Sequence, residues 1–339
     1  MTEPAKLVVG ASGFLGSHLT RQLVESGSPV RVLVRRTSDI RAIADLPVEI
    51  HYGDLFDDDA LCAAVRGCDV IYHCAVDTRA WLRDPEPLFR TNIAGLRHVL
   101  DAARAAGPAK FVFTSSAATI GRRPGGIADE TVPFDWTRLG GPYVRSRVEA
   151  ENLVLRYATE RGLPAVAMCV ANTYGPGDWQ PTPHGAFVAA AALGRLPFRF
   201  AGTGSESVGI EDAARALILA GAAGRPGERY IVADRYLTNT ELLTAAAHAV
   251  DREPPRAAVP LPLLYPAAGI AAAAARMRGR DGRFTVTSVN LMHVMSRMDH
   301  GKAERELGWK PEPVLDAVAR AARFFVERRS RRRASARTG

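Results

Sequence analysis

Gly10-Ala11-Ser12-Gly13-Phe14-Leu15-Gly16 joins an apolar run at residues 6–9 to a segment whose Phe14, Leu15, Leu19 and Leu23 recur at helical spacing before Gly27. A G-x-x-G-x-x-G turn between a strand and a helix has the context of a phosphate-binding turn. The first glycine permits the sharp turn, the second lets backbone N–H groups approach a pyrophosphate, and the third lets the helix pack close to the strand. Gly10, Ser12, Gly13, Phe14, Leu15 and Gly16 are the contacts expected here.

Outward from this turn, strand and helix patterns alternate. Apolar strands are expected at residues 30–34, 48–52, 70–72, 111–113 and 165–170. Helices are expected at 61–65, at 88–106 before Gly107, and from Tyr143 to about 161 before Gly162. Continuous apolar strands separated by helices specify a parallel sheet covered on both faces. The fold class read from this pattern is α/β, a doubly wound, Rossmann-like parallel sheet with a smaller, mostly helical C-terminal substrate region. Residues 1–171 form the dinucleotide-binding part, 172–325 a substrate region interleaved with the sheet, and 326–339 a basic tail expected to be disordered.

The bulk numbers exclude several classes. A chain of 339 residues, 47% hydrophobic, can bury a full core. Nothing reaches the roughly 18–20 consecutive apolar residues of a membrane span. The first six residues carry no secretory apolar region, which points to the cytoplasm. Cys62, Cys68, Cys74 and Cys169 form no C-x-x-C pair and read as small buried hydrophobes; no metal site is expected. The net charge is +8, but Arg328, Arg329, Arg331, Arg332, Arg333 and Arg337 lie together in the tail and leave +2 for the rest. No nucleic-acid partner is therefore expected. Peripheral contact between the tail and an anionic membrane stays open as the sharper alternative to a solvated end.

Arg35 and Arg36 follow the second strand, where an acid would bind the ribose 2′-OH of NAD. A guanidinium suits a 2′-phosphate, so NADP is preferred over NAD. The competing reading has both arginines facing water. Asp54, followed by Leu55 after the third strand, can accept the adenine amino group or cap a turn.

Tyr143-x-x-x-Arg147 puts two side chains on one helical face. Thr114-Ser115-Ser116 closes the fifth strand, and ligands bind at the carboxyl edge of such sheets. A tyrosine titrates near 10 and needs about 4 kcal/mol of help to act as a base near neutral pH. Arg147 and an oxidised nicotinamide could supply part of it.

These motifs together resemble the extended short-chain dehydrogenase/reductases of the NAD-dependent epimerase/dehydratase group. Besides the glycine turn, His73-Cys74-Ala75-Val76 resembles H-x-A-A, and Thr91-Asn92-Ile93-Ala94-Gly95 resembles T-N-V-x-G. The serine strand, TSSAATIG from Thr114 to Gly121, is similar to the one that supplies the catalytic hydroxyl. Asn172-Thr173-Tyr174-Gly175-Pro176 resembles N-x-Y-G-P, and Leu307-Gly308-Trp309-Lys310-Pro311 resembles L-G-W-x-P. The resemblance implies Ser116, Tyr143 and Arg147 as catalytic residues. It implies Cys74, Ala75, Val76, Thr114, Val170 and Asn172 as further cofactor contacts. Arg35, the segment from Asp77 to Trp81, and Gly177-Asp178-Trp179 with Pro181-Thr182-Pro183 look like dihydroflavonol-reductase-like and hopanoid-associated epimerase-like members. They imply Asp77, Trp81, Asn172, Trp179 and His184 as substrate contacts. The chain departs from the pattern at Arg147, which replaces the lysine, at Val9, and at Cys169-Val170, where Arg-Pro is usual. Residues 202–212 (GTGSESVGIED) lack the run that would grip a nucleotide diphosphate.

The reading that follows is an NAD(P)-dependent oxidoreductase moving a hydride between nicotinamide and an alcohol or ketone carbon of a hydrophobic small molecule, with Tyr143 as acid/base. A sugar epimerase or dehydratase with a tightly held dinucleotide is the first alternative. A non-catalytic dinucleotide-binding protein is the second. The Trp179 segment and the apolar residues 261–275 are expected to roof the substrate pocket, and a homodimer is a further expectation.

Overall fold

The computed structural model describes residues 3–338, and the side chains of residues 3–331. The first half runs β1 (Ala5–Val9), α1 (Phe14–Glu25), β2 (Val30–Val34), β3 (Glu49–Tyr52), α2 (Asp58–Val65) and β4 (Cys68–His73). Then follow α3 (Glu86–Phe89), α4 (Leu96–Ala106), β5 (Lys110–Ser116), the short β6 (Ile127–Ala128), α5 (Thr137–Arg161) and β7 (Ala165–Val170). The second half contains β8 (Asn172–Tyr174), α6 (Pro183–Ala192), β9 (Phe198–Ala201), β10 (Gly204–Gly209), α7 (Ile210–Ala223), β11 (Arg229–Val232), β12 (Arg235–Thr238) and α8 (Asn239–His248). It closes with β13 (Ala257–Pro260), α9 (Leu261–Met277), α10 (Val286–Leu291), β14 (Arg297–Met298), α11 (Gly301–Leu307) and α12 (Val314–Thr338).

Seven strands form one parallel sheet in the order β11-β7-β5-β4-β1-β2-β3. Neighbouring residues on a strand serve opposite faces. Val8, Tyr72, Val112 and Val166 join a core with α1 and α7, whereas Leu7, Ile71, Phe111 and Ala165 join one with α4 and α5. Both faces are therefore dry, which explains the unbroken apolar strands. The second half returns to this sheet, sending α7 against α1 and adding β11 beside β7.

Three features differ from the sequence-based expectation. The helix expected over 88–106 is interrupted by a π-helical turn, Arg90–Gly95. The wider turn brings Asn92, 2% exposed, inward to fixed partners. The C-terminal region carries three small sheets among its helices, because strands of two to six residues are too short to show a period. The tail at 326–339, expected as disordered, continues α12 as far as Thr338. Its helix is anchored by Val314, Val318, Ala322 and Phe325, all buried, and Arg328 bonds the carbonyl of Asp178. The side chains of Arg332, Arg333 and Arg337 lie outside the described residues. Among the described residues no helix is long and apolar enough to cross a membrane.

Candidate active site

The carboxyl ends of β1, β2, β4, β5 and β7 open into a cleft of about 850 Å³. At its floor Gly10 has φ +87°, and a Cβ there would meet the backbone N of Ala75 at 2.7 Å. A Cβ on Gly16 would meet the Gly10 carbonyl oxygen at 2.3 Å. No side chain caps α1 at Gly13, and no acid stands in its first turn. The open N–H groups and the helix dipole therefore face the cleft, as an anion requires. Gly10, Ser12, Gly13, Phe14, Leu15 and Gly16 all line it. This cradle fits the pyrophosphate of a dinucleotide.

The two arginines after β2 part company. Arg35 lines the cleft with Thr37, Ser38 and Arg41. Arg36 does not; its guanidinium lies over the Tyr52 ring at 5.1 Å. The chain turns after β2 ends at Val34, and only the first of the pair is directed to the cleft. Asp54 and Leu55 line the cleft, and Asp54 Oδ1 also accepts from the N–H of Phe56 at 3.1 Å.

On the other side, Ser116, Tyr143 and Arg147 meet with Thr114, Cys74, Ala75, Val76, Val170 and Asn172. Helix α5 kinks at Gly141 (φ 65°), and Pro142 then starts a straight segment, so Tyr143 stands in its first turn. Burial raises the Tyr143 pKa, while the Arg147 charge and a hydrogen bond with the Ser116 hydroxyl oppose that. Arg147 is 2% exposed. It donates to the main-chain carbonyl of Thr114, and its guanidinium lies 5.1 Å over the Phe113 ring. Ser116 is held in turn: its Oγ accepts from Ala118 N–H at 3.2 Å and its carbonyl from Thr119 Oγ1 at 2.7 Å.

Several residues that complete the site were not singled out in the sequence. Asn92 accepts from the Asp77 N–H (2.8 Å) and donates to the Asp77 carbonyl (3.0 Å) and Ser146 Oγ (3.0 Å), tying the loop after β4 to α5. It stood in a quoted motif without a role. Glu151, four residues after Arg147, accepts from Thr119 Oγ1 at 2.8 Å, Ser115 Oγ at 2.5 Å and Arg229 at 2.9 Å. Its spacing on the Tyr143 face was a readable signal. Arg79 pairs with Asp77 at 2.5 Å, inside the cleft. Burial would raise the Asp77 carboxyl, but its bonds from Arg79 hold it below the usual range.

The expected substrate contacts separate as well. Asp77, Asn172, Trp179 and His184 line the cleft. Asn172 Nδ2 already donates to Ser205 Oγ at 2.7 Å. The Trp179 indole is engaged with the Arg41 and Arg328 guanidinium groups (5.6 and 5.5 Å) and the Phe324 ring (5.0 Å). Burial lowers the His184 pKa to about 4, so the imidazole is neutral at pH 7. Trp81 is outside the cleft, under the Arg283 guanidinium at 5.2 Å. The expected roof at 261–275 is likewise absent from the lining, because α9 packs against Phe200, Val289 and Phe284 instead.

The family model for the NAD dependent epimerase/dehydratase family matches residues 6–233. The chain is 32% identical over 324 residues to sterol demethylase protein B of Methylococcus capsulatus, covering 95% of this chain and 98% of that one. It is 31% identical over 323 residues to a putative dihydroflavonol 4-reductase of Synechocystis, covering 94% and 93%. The crystal structure of gox2253 superposes with a TM-score of 0.84 at 35% identity, covering 96% of this chain and 99% of that one.

Proposed function

The chain belongs to the NAD-dependent epimerase/dehydratase family, and on that premise we propose that it is an NADP(H)-linked oxidoreductase interconverting a ketone and an alcohol on a lipophilic small molecule. The observation that carries the reading is the convergence of Ser116, Tyr143 and Arg147 on one wall of the cleft whose floor is the glycine cradle. NADPH, held by the Gly10–Gly16 cradle and Arg35, would supply the hydride when bound. Tyr143 donates the proton to the carbonyl oxygen, which the Ser116 hydroxyl holds by a hydrogen bond. Arg147, fixed to Thr114, keeps a positive charge beside the phenol and stabilises the tyrosinate left after transfer.

Arg35, with the Thr37 and Ser38 hydroxyls beside it and Arg41 neutralised by its pairing with Asp39 (2.7 Å), supports a 2′-phosphate and hence NADP over NAD. The lipophilic substrate is supported by the names of the full-length relatives. It is also supported by residues 204–209, which form a buried strand and offer no cation for a nucleotide diphosphate. The test is net cofactor turnover by the purified protein on a panel of sterol, flavonoid and long-chain ketones. Stoichiometric loss of NADPH supports the reading. Epimerisation of a substrate with no net NADPH consumption overturns it.

A further inference from the structure

Helix α9 carries no charge from Leu261 to Ala275, yet it buries only Leu264 and Ala268. Its other side is open: Leu263 is 58% exposed, Ile270 71% and Met277 84%. With the exposed Pro266, Ala267 and Ala273 they recur at i, i+3, i+4, i+7, i+10 and i+14, one continuous apolar stripe. Isolated surface hydrophobes are ordinary, but a contiguous apolar face marks a contact. At the end of the stripe stand Arg276, Arg278, Arg280 and Arg283, all exposed, with Asp281 the only acid among them.

We propose that this face of α9 is a docking surface for an anionic lipid bilayer. An apolar stripe beside clustered arginines matches, in order, the acyl boundary and the phosphate layer of such a surface. The placement suits access to the cleft. Arg276 and Asp281 form a surface hollow with Leu82, Arg83, Asp84 and Pro87, and the same loop's Asp77, Thr78 and Arg79 line the cleft. One loop thus runs from the lining of the cleft to the arginine end of α9. This surface is independent of the proposed reaction and of the arginines of α12.

The test is co-sedimentation of the full chain with phosphatidylcholine vesicles, with and without phosphatidylglycerol. Binding to the anionic vesicles alone is expected. Ile270→Glu should lower the partition coefficient roughly tenfold or more. Changing Arg278 and Arg280 together to Gln should lower it roughly 25-fold, about fivefold for each arginine near such a surface. Changing Arg331, Arg332, Arg333 and Arg337 to Gln should leave it unchanged. Ile270 is exposed, so unchanged thermal unfolding of Ile270→Glu checks that its fold is intact. Absence of the parent chain from the anionic vesicle pellet overturns the proposal. So does equal binding by Ile270→Glu, loss of binding with the α12 variant, or a parent dimer that Ile270→Glu converts to a monomer with no vesicle binding by either.

Discussion

Arg147 leaves the Tyr143 helix to donate a hydrogen bond to the main-chain carbonyl of Thr114, two residues before Ser116. One guanidinium thus ties the helix that carries the phenol to the strand that carries the hydroxyl. Its planar fork keeps further N–H groups for the cleft, which a single ammonium would do less rigidly. Arg147→Ala removes the charge and its hydrogen bond to the half-buried Thr114 carbonyl at the cleft, a loss of about 1–2 kcal/mol. Denaturant unfolding should register that loss, and turnover should fall by roughly two orders of magnitude or more. Arg147→Lys should keep most of both. Parental stability and rate in Arg147→Ala would remove Arg147 from the mechanism.

The Tyr143 phenol has its pKa raised by burial, against the pull of Arg147 and Ser116. In the absence of cofactor it is therefore the protonated, proton-donating form at neutral pH. The profile of kcat/KM for ketone reduction should be flat through neutrality. It should fall only on the alkaline side, above the ordinary tyrosine value of about 10. Oxidation of the alcohol should rise over the same range. Tyr143→Phe should abolish both while leaving NADPH affinity nearly unchanged. An alkaline limb near neutrality in the reduction profile would contradict this assignment.

Arg35 and Arg36 give a paired test of cofactor choice. Arg35→Asp should weaken NADPH by roughly tenfold or more, since a charge-assisted bond is replaced by repulsion. Arg36→Asp should change it little, because Arg36 stacks on Tyr52 outside the cleft. Fluorescence titration of both variants with NADPH and NADH decides the matter. Equal effects from the two substitutions would mean that neither arginine singles out the phosphate.

Glu151 gathers Ser115, Thr119 and Arg229 behind the site, and the single Thr119 hydroxyl hydrogen is shared between Glu151 and the Ser116 carbonyl. Glu151→Gln would replace a full acceptor by an amide that must offer N–H groups to other donors. A loss of about 2–4 kcal/mol is expected. The rate should drop with little change in KM, because Ser116 is displaced rather than removed. An unchanged unfolding midpoint would show that the network contributes nothing.

Glu206 is 2% exposed, and its Oε2 is buried without a partner among the described residues. Burial pushes its pKa up to about 7. A carboxyl whose folded pKa is raised binds its proton more tightly in the native state. Stability should then fall as pH rises from about 4.5 to about 7, by roughly 3 kcal/mol at most, and stay level above that range. Glu206→Gln should flatten this window and be the more stable form at pH 8. Parallel pH-stability curves for the two proteins would refute it.

The parallel sheet, the glycine turn between β1 and α1, and the residues that meet at the sheet's carboxyl edge were all legible in the amino-acid sequence. Gly10, Gly13 and Gly16 report a local backbone need, and Tyr143 with Arg147 reports helical spacing, so both are legible within a few residues of chain. Strand ends then place Thr114 and Ser116 at the same edge by topology alone. The tertiary structure decided what depends on residues far apart in the chain. It turned Arg35 into the cleft and Arg36 onto Tyr52, set Trp81 under Arg283, and joined Glu151 to Arg229 across 78 residues. It also brought Arg41 and Arg328 to the Trp179 ring and left α9 outside the cleft with its apolar stripe exposed. An apolar run of α9's composition suits a buried helix and a surface one equally well. Only the segments packed around it settle which of its sides meets protein and which is left open.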